Sequence, residues 1–285
     1  MPPRWDLTDA ERARVEKARR VPFSMVQVVQ ACRRSPSLTA SVLRSALTGA
    51  AQGVRGDQSL AWILDSQRIR RVVPGAPTGV GWHGEEVFLE ALLPRLDSDQ
   101  RVLEIGCGAG RVARHVAPEV GQLVCSDISK ALLDEARHNL AGLARIDFHR
   151  ATGFHLADFE DAAFDVIYSH DVFVTFDLNE ALALLDEARR ALRPNGVLVV
   201  SFYTIDHPSW AAHQLEIVRR AAKSNHFGPS HPRAYTAAQV DALYKAVGLE
   251  VVDRLWGTAR VPGGRAHYVA VGSRLAVGTE PYRLP

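Results

Sequence analysis

Five short apolar runs, separated by amphipathic stretches, organise the central and C-terminal parts of this 285-residue chain. Val102 to Ile105, Leu123 to Asp127, Ile146 to His149, Phe164 to Ser169 and Val197 to Phe202 read as strands. The last is apolar almost throughout, as a strand covered on both faces is. Gly84 to Leu96, Ser129 to about Leu140, and Leu178 to Leu192 carry apolar residues at helical spacing instead. The glycine-rich turn after Ile105 feeds one more helix, Arg111 to Ala117, closed before Pro118. Strands alternating with helices imply right-handed crossovers and a parallel sheet. Two further strands, Glu250 to Trp256 and Ala266 to Ser273, are joined by a Gly/Pro loop too short for a helical crossover. They must therefore pair antiparallel. The expectation is an α/β fold: a seven-stranded, mostly parallel sheet with one antiparallel terminal strand.

The flanking segments follow other patterns. Asp9 to Arg20, Ser24 to Arg33, Ser37 to Leu47 and Asp57 to Arg71 read as helices, with Thr8 capping the first. Arginines outnumber acids there, which describes either a solvated face or contact with an anionic partner. Val73 to Gly81 is rich in Pro and Gly and is the strongest linker signal. It divides a helical N-terminal extension, residues 1–80, from a domain spanning 81–285. Residues 203–233 interrupt the strand–helix alternation, with a helix at about Trp210 to Ala222, and read as a helical insertion. Segments of this length inside a domain are usually functional or disordered. Arg193-Pro194-Asn195-Gly196 is turn chemistry. Thr236-Ala237-Ala238-Gln239 is a capping box, opening a helix that ends before Gly248.

Composition narrows the chemistry. Apolar content of 47% and charged content of 23% fit a folded soluble protein, and a net charge of +2 gives no case for nucleic-acid binding. Cys32, Cys107 and Cys125 lack C-x-x-C spacing, which fits a reducing cytoplasm and argues against a disulfide framework or zinc site. The N-terminus has no signal-peptide pattern, and no apolar run reaches the ~18 residues of a membrane span. Histidines and acids show no metal-ligand spacing, so no metal is expected.

Val102-Leu103-Glu104-Ile105-Gly106-Cys107-Gly108-Ala109-Gly110 joins the first strand to a helix through alternating glycines. Glycines let backbone approach a ligand closely, so the arrangement is nucleotide-binding. A dinucleotide fingerprint, G-x-G-x-x-G, is matched by Gly106 and Gly108 but has Arg111 at its third position. Asp127 lies 21 positions after Gly106, where a carboxylate can accept bonds from two ribose hydroxyls or sit ahead of the Ser129 helix cap. Glu104, an acid inside an apolar strand, needs donors.

These features in this order resemble the class I S-adenosylmethionine-dependent methyltransferases, over roughly Gly81 to Ser273. Val102 to Gly110 carries the best match. Asp127, the Phe164-Asp165-Val166-Ile167-Tyr168-Ser169 strand, and Leu192-Arg193-Pro194-Asn195-Gly196 reinforce it. The resemblance implies a Rossmann-like fold and S-adenosylmethionine as cofactor. It places the cofactor against Trp82, Glu104, Gly106, Cys107, Gly108, Gly110, Asp127, Ile128 and Ser169. Ile128 would pack on adenine, and Glu104 would hold the loop and the cofactor's amino-acid end. Cys107 is also a small packing residue within the loop. The chain departs from the family pattern after the third strand, where an acid is common and Arg150-Ala151-Thr152-Gly153-Phe154 stands. Adenine contacts then fall to Thr152, Gly153 or Phe154.

The resemblance further implies methyl transfer to a small-molecule acceptor, an oxygen first, with nitrogen or carbon as the alternative. A cofactor-binding partner subunit without activity is the reading from another class. An N-P-P-Y motif, common where nucleobases are methylated, is absent. A base is needed where the acceptor keeps its proton, and histidine suits that duty. His170 leads by position and His207 follows, ahead of His213, His226 and His231. The N-terminal helices and the 203–233 insertion would form a lid. Its aromatics suit an aromatic acceptor or a homodimer interface equally well.

Overall fold

The computed structural model describes residues 5–19, 59–80, 84–206, 215, 219, 233–257 and 267–274. The helices expected at 24–33 and 37–47 lie outside these residues, as do Trp82, His207 and all of 210–222 except Leu215 and Arg219, which are helical. The chain divides into two compact units. One holds residues 1–82, 108–111 and 129–141; the other holds 83–107, 112–128 and 142–285.

In the first unit, helices α1 (Asp9–Arg19), α2 (Ser59–Val72) and α5 (Lys130–Asn139) are numbered along the described chain. The Thr8 hydroxyl accepts from the Glu11 amide at 3.3 Å, and Glu11 Oε2 accepts from the Thr8 amide at 3.0 Å, fixing the start of α1. Leu7, Val15, Ile69, Val73, Ala76 and Val80 form a small core. Glu135 of α5 anchors the Pro/Gly stretch after α2. Its carboxylate accepts from the Thr78 amide at 2.7 Å, the Thr78 hydroxyl at 2.8 Å and Arg70 Nη2 at 2.5 Å.

The second unit carries the sheet: β1 (Arg101–Ile105), β2 (Gln122–Asp127), β3 (Ile146–Arg150), β4 (Phe164–Ser169), β5 (Leu192–Tyr203), β6 (Leu249–Gly257) and β7 (His267–Arg274). The order is β3-β2-β1-β4-β5-β7-β6. β1 to β5 run parallel, and β7 is antiparallel to both β5 and β6. The reversed strand is thus last in sequence but one in from the sheet edge. Helices α3 (Glu85–Leu92), α4 (Ala113–Val116), α6 (Leu178–Ala191) and α7 (Ala237–Ala246) complete the unit.

Capping boxes at Asp177/Glu180 and Thr236/Gln239 start α6 and α7. α6 buries Ala181, Leu184, Leu185, Ala188 and Ala191, a helical stripe, in one core with Leu103, Ile105, Ile167, Leu198, Val200 and Phe202. Alternate strand positions turn to the opposite face. There Phe88 of α3 lies 6.1 Å from the Tyr168 ring and 4.5 Å from the His170 ring.

Two local expectations are corrected. The helix after the glycine turn is one turn long, α4, followed by a 3-10 turn at Ala117–Glu119 that contains Pro118. Pro118 lacks the N–H that a continuing helix needs. Arg193 to Gly196 is absorbed into β5 rather than standing outside it. The β4–β5 register shifts between Phe164 and Val166, and Asn195 takes φ 65. Asn tolerates that left-handed backbone, and Pro is accommodated where a ladder is interrupted. Between β3 and β4 the chain forms only turns. Arg190 of α6 holds them, donating to the carbonyls of Leu156 at 2.9 Å and Phe159 at 3.0 Å. Among the described residues no helix is long and apolar enough to cross a membrane.

Candidate functional site

In the second unit the tips of β1 and β2 carry two buried carboxylates, Glu104 at 2% exposure and Asp127 at 8%. The parallel register sets Glu104 opposite Cys125 on β2 and Tyr168 on β4. Cys125 Sγ donates to Glu104 Oε2 at 4.0 Å. Cys107 donates to Cys125, and that bond, then burial, raises the Cys107 pKa well above the ordinary thiol value. The bond received from Cys107, the largest influence, lowers the Cys125 pKa, but burial and the Glu104 charge together outweigh it and the net shift is upward. The Tyr168 hydroxyl is fully buried and faces Glu104, without a hydrogen bond of normal geometry to any described residue. Burial first, and Glu104's charge second, push its pKa well up.

The glycine turn rests on β2. Ser126's carbonyl accepts from the amides of Gly106 at 2.7 Å and Cys107 at 2.9 Å. These first amides therefore fix the turn to β2. Gly106 has φ 75, and a Cβ there would overlap Val172 Cγ2. In the other unit, Gly108 has φ 54 with open space where a Cβ would stand. Gly110 has φ 88, and its Cβ would lie 2.9 Å from Leu140 Cδ1. Asn139 Nδ2 donates to the Ala109 carbonyl at 2.9 Å, holding this part of the loop to α5.

Beyond Asp127, Ile128 is 53% exposed, an apolar side chain presented at the end of β2. The Ala151 amide donates to the Asp127 carbonyl at 3.1 Å, so the segment after β3 starts beside this carboxylate. Thr152 and Gly153 are exposed. Phe154 is half-buried, its ring edge-to-face with Phe176 at 5.1 Å. Nearby, His149 Nδ1 shares a 3.3 Å hydrogen bond with the Ser126 hydroxyl, and its Nε2 meets Asp158 at 2.8 Å.

The β4 tip uses its polar groups internally. The Ser169 hydroxyl donates to the Ile105 carbonyl at 2.9 Å, tying β4 to β1. His170, its side chain 1% exposed, shares a 3.1 Å hydrogen bond between Nδ1 and the Ser201 hydroxyl. Its Nε2 lies 3.5 Å from Asp171 Oδ2. Ser201 Oγ also accepts from the Asp171 amide at 2.9 Å, supporting a left-handed backbone, φ 60, at Asp171. Tyr168 and Ser201 are the residues that sequence reasoning missed. Each is polar inside an apolar strand, and that was the available signal.

The sheet order switches direction between β1 and β4, the place where α/β sheets bind ligands. Glu104, a buried carboxylate next to the turn, disfavours a pyrophosphate there, while Asp127 fits a ribose in either kind of ligand. Together they suit a ligand that presents a cation and vicinal hydroxyls, as S-adenosylmethionine does. Among the described residues no cluster of three His, Cys, Asp or Glu could hold a metal ion.

A family model described as "Methyltransferase domain" matches residues 102–196. Demethylmenaquinone methyltransferase of Clavibacter sepedonicus is 31% identical over 104 residues, 35% of this chain and 40% of that protein. Ubiquinone biosynthesis O-methyltransferase of Xylella fastidiosa is 30% identical over 134 residues, 42% of this chain and 54% of that protein. The chain thus spans about half or less of the length of these two curated relatives. A solved S-adenosylmethionine-dependent methyltransferase of Methanosarcina mazei shares the fold, with a TM-score of 0.53 and 17% identity. That match covers 65% of this chain and 97% of the other. Residues 102–196 thus match a methyltransferase domain, and the chain shares the fold of a solved S-adenosylmethionine-dependent methyltransferase.

Proposed function

We propose that the protein transfers a methyl group from S-adenosylmethionine to a small-molecule acceptor, at an oxygen. The observation that carries this reading is the pair of buried carboxylates, Glu104 and Asp127, on either side of the Gly106 turn. Asp127 accepts from the ribose hydroxyls. Glu104 takes the cationic ammonium of the methionine end. Ile128 offers its exposed side chain to the adenine ring, and the Thr152–Gly153 backbone borders the same edge. Gly106 and Cys107 form the part of the loop that the cofactor lies against, and the family resemblance extends its contacts to Gly108, Gly110 and Trp82. The bound sulfonium supplies a methyl group that is electrophilic without further activation. What remains for the protein is to align the acceptor and exclude water, which is worth ~7–11 kcal/mol.

Ser169 acts here by fixing the β4 tip to β1. The burial of His170 among Phe88, Ser201 and Asp171 favours a shape-holding role. Proton removal from an oxygen acceptor is then assigned to His207. Acceptor choice is assigned to residues 1–80 and 203–233, and an aromatic acceptor suits the aromatics there. The similarity to the ubiquinone-pathway O-methyltransferase supports an oxygen acceptor of quinol type. The burial of His170 equally favours a second reading, a nitrogen nucleophile that arrives without a proton to lose.

The test incubates the full chain with methyl-labelled S-adenosylmethionine and a panel of catechols, quinols and amines. Label in a methyl ether, identified by product fragmentation, is the expected outcome. Label on nitrogen establishes the second reading. Tight S-adenosylhomocysteine binding with no transfer to any member supports the non-catalytic partner subunit.

A further inference from the structure

Glu104 sits in the middle of one row of the sheet. Its register partner on β2 is Cys125 and its partner on β4 is Tyr168, so all three side chains leave the same face. Neighbouring strands lie ~4.8 Å apart, which places a donor on each side of the carboxylate. Cys125 already donates to Oε2 at 4.0 Å. Cys107, from the glycine turn itself, donates to Cys125. On the other side the Tyr168 hydroxyl is wholly buried and faces Glu104, with no other hydrogen-bond partner among the described residues. Phe88 packs against its ring and limits the directions it can take.

A buried hydroxyl without a full hydrogen bond is costly to keep, and phenylalanine fills the same volume without that cost. We infer that Tyr168 and Cys125 are positioning residues, which hold the Glu104 carboxylate from both flanking strands so that it faces the cofactor's ammonium group. The inference rests on the reading of Glu104 given above. Burial keeps both thiols and the phenol protonated, so all three remain donors through the neutral range. The chain Cys107–Cys125–Glu104 also links the turn to the carboxylate, so a displaced turn is felt at Glu104.

Two probes separate this role from simple packing. S-adenosylhomocysteine carries the amino-acid end, and 5′-methylthioadenosine lacks it. Calorimetric titration of the full chain compares wild type, Tyr168→Phe, Cys125→Ala, Cys125→Ser and Glu104→Gln. Tyr168→Phe is expected to weaken S-adenosylhomocysteine about tenfold, the scale of one hydrogen bond to a charged group, and to leave methylthioadenosine unchanged. Cys125→Ala is expected to show the same selectivity at roughly threefold, because thiol donors are weaker, and Cys125→Ser to restore most of the loss. Unchanged S-adenosylhomocysteine affinity in Tyr168→Phe overturns the inference. So does equal weakening of both probes, which marks a packing defect. If Tyr168→Phe does not fold, Cys125→Ala and its serine rescue are read by the same criteria. Glu104→Gln separates the levels. If it leaves the preference for S-adenosylhomocysteine intact, the reading of Glu104 itself fails. If it abolishes that preference while Tyr168→Phe leaves it unchanged, only the positioning role fails.

Discussion

The tips of β1 and β2 differ from the tip of β4 in how they use polar side chains. At β1 and β2, two buried carboxylates lie beside a turn whose opening amides are spent on Ser126. At β4, the Ser169 hydroxyl is spent on Ile105, and Ser201 serves both His170 and the Asp171 amide. The first arrangement is the one to which the proposed function gives the ligand contacts. The second uses its donors and acceptors to hold a strained backbone in place. A strand end at a switch point can therefore contribute chemistry or shape, and the hydrogen-bond partners tell which.

The sharpest way to break this contrast is at Gly106. Gly106→Ala forces a left-handed alanine into Val172, with an expected loss of roughly 3 kcal/mol from strain and overpacking combined. Thermal unfolding measures it. Val172→Ala in the same chain is expected to recover the steric part and leave the backbone part. Next is Asp127→Ala, expected to weaken S-adenosylhomocysteine and methylthioadenosine alike by about 2 kcal/mol, since both contain the ribose. Selective loss of only one probe contradicts the ribose role. His170→Ala removes a buried ring stacked on Phe88 and is expected to cost roughly 2 kcal/mol of stability. Its turnover, corrected for folded fraction, is expected to persist. A loss of several orders of magnitude with unchanged stability reverses the comparison and makes His170 the base.

The smallest effect is alkaline. The Cys107 and Cys125 pKa values are raised above the ordinary 9.0 in the folded chain. The unfolded chain therefore releases these protons first. Their contribution is fully present below pH 9.0 and is lost as pH rises through the folded values. Melting temperature is expected to fall above pH 9.0, and less steeply in Cys107→Ala/Cys125→Ala. Parallel slopes for the two chains contradict this assignment.

Much of this was legible in sequence. Strand positions followed from apolar runs, and β4 was read to the residue because Phe164 and Ser169 bracket the buried run Val166-Ile167-Tyr168. The capping box at Thr236 and the antiparallel pairing of β6 with β7 were equally plain, one from local chemistry and one from loop length. What escaped depended on register. Nothing in a linear sequence aligns Cys125, Glu104 and Tyr168, which are far apart in the chain and share a row only once β2, β1 and β4 pair. The β5 start was misread for a related reason. Arg193 to Gly196 is turn chemistry locally, and only the bulge against β4 makes it strand. Likewise the glycine turn announced a ligand, while the use of its first amides by Ser126 needed the fold.

The central claim is that the β1 and β2 tips bind S-adenosylmethionine through Glu104 and Asp127. Isothermal titration of the full chain with S-adenosylhomocysteine, alongside NAD, tests it most directly. The account predicts saturable one-to-one binding of S-adenosylhomocysteine, weakened at least tenfold in Asp127→Ala as expected for losing charge-assisted hydrogen bonds, and no binding of NAD. Absence of S-adenosylhomocysteine binding by the folded wild-type chain, or equal binding by the Asp127→Ala chain, contradicts it.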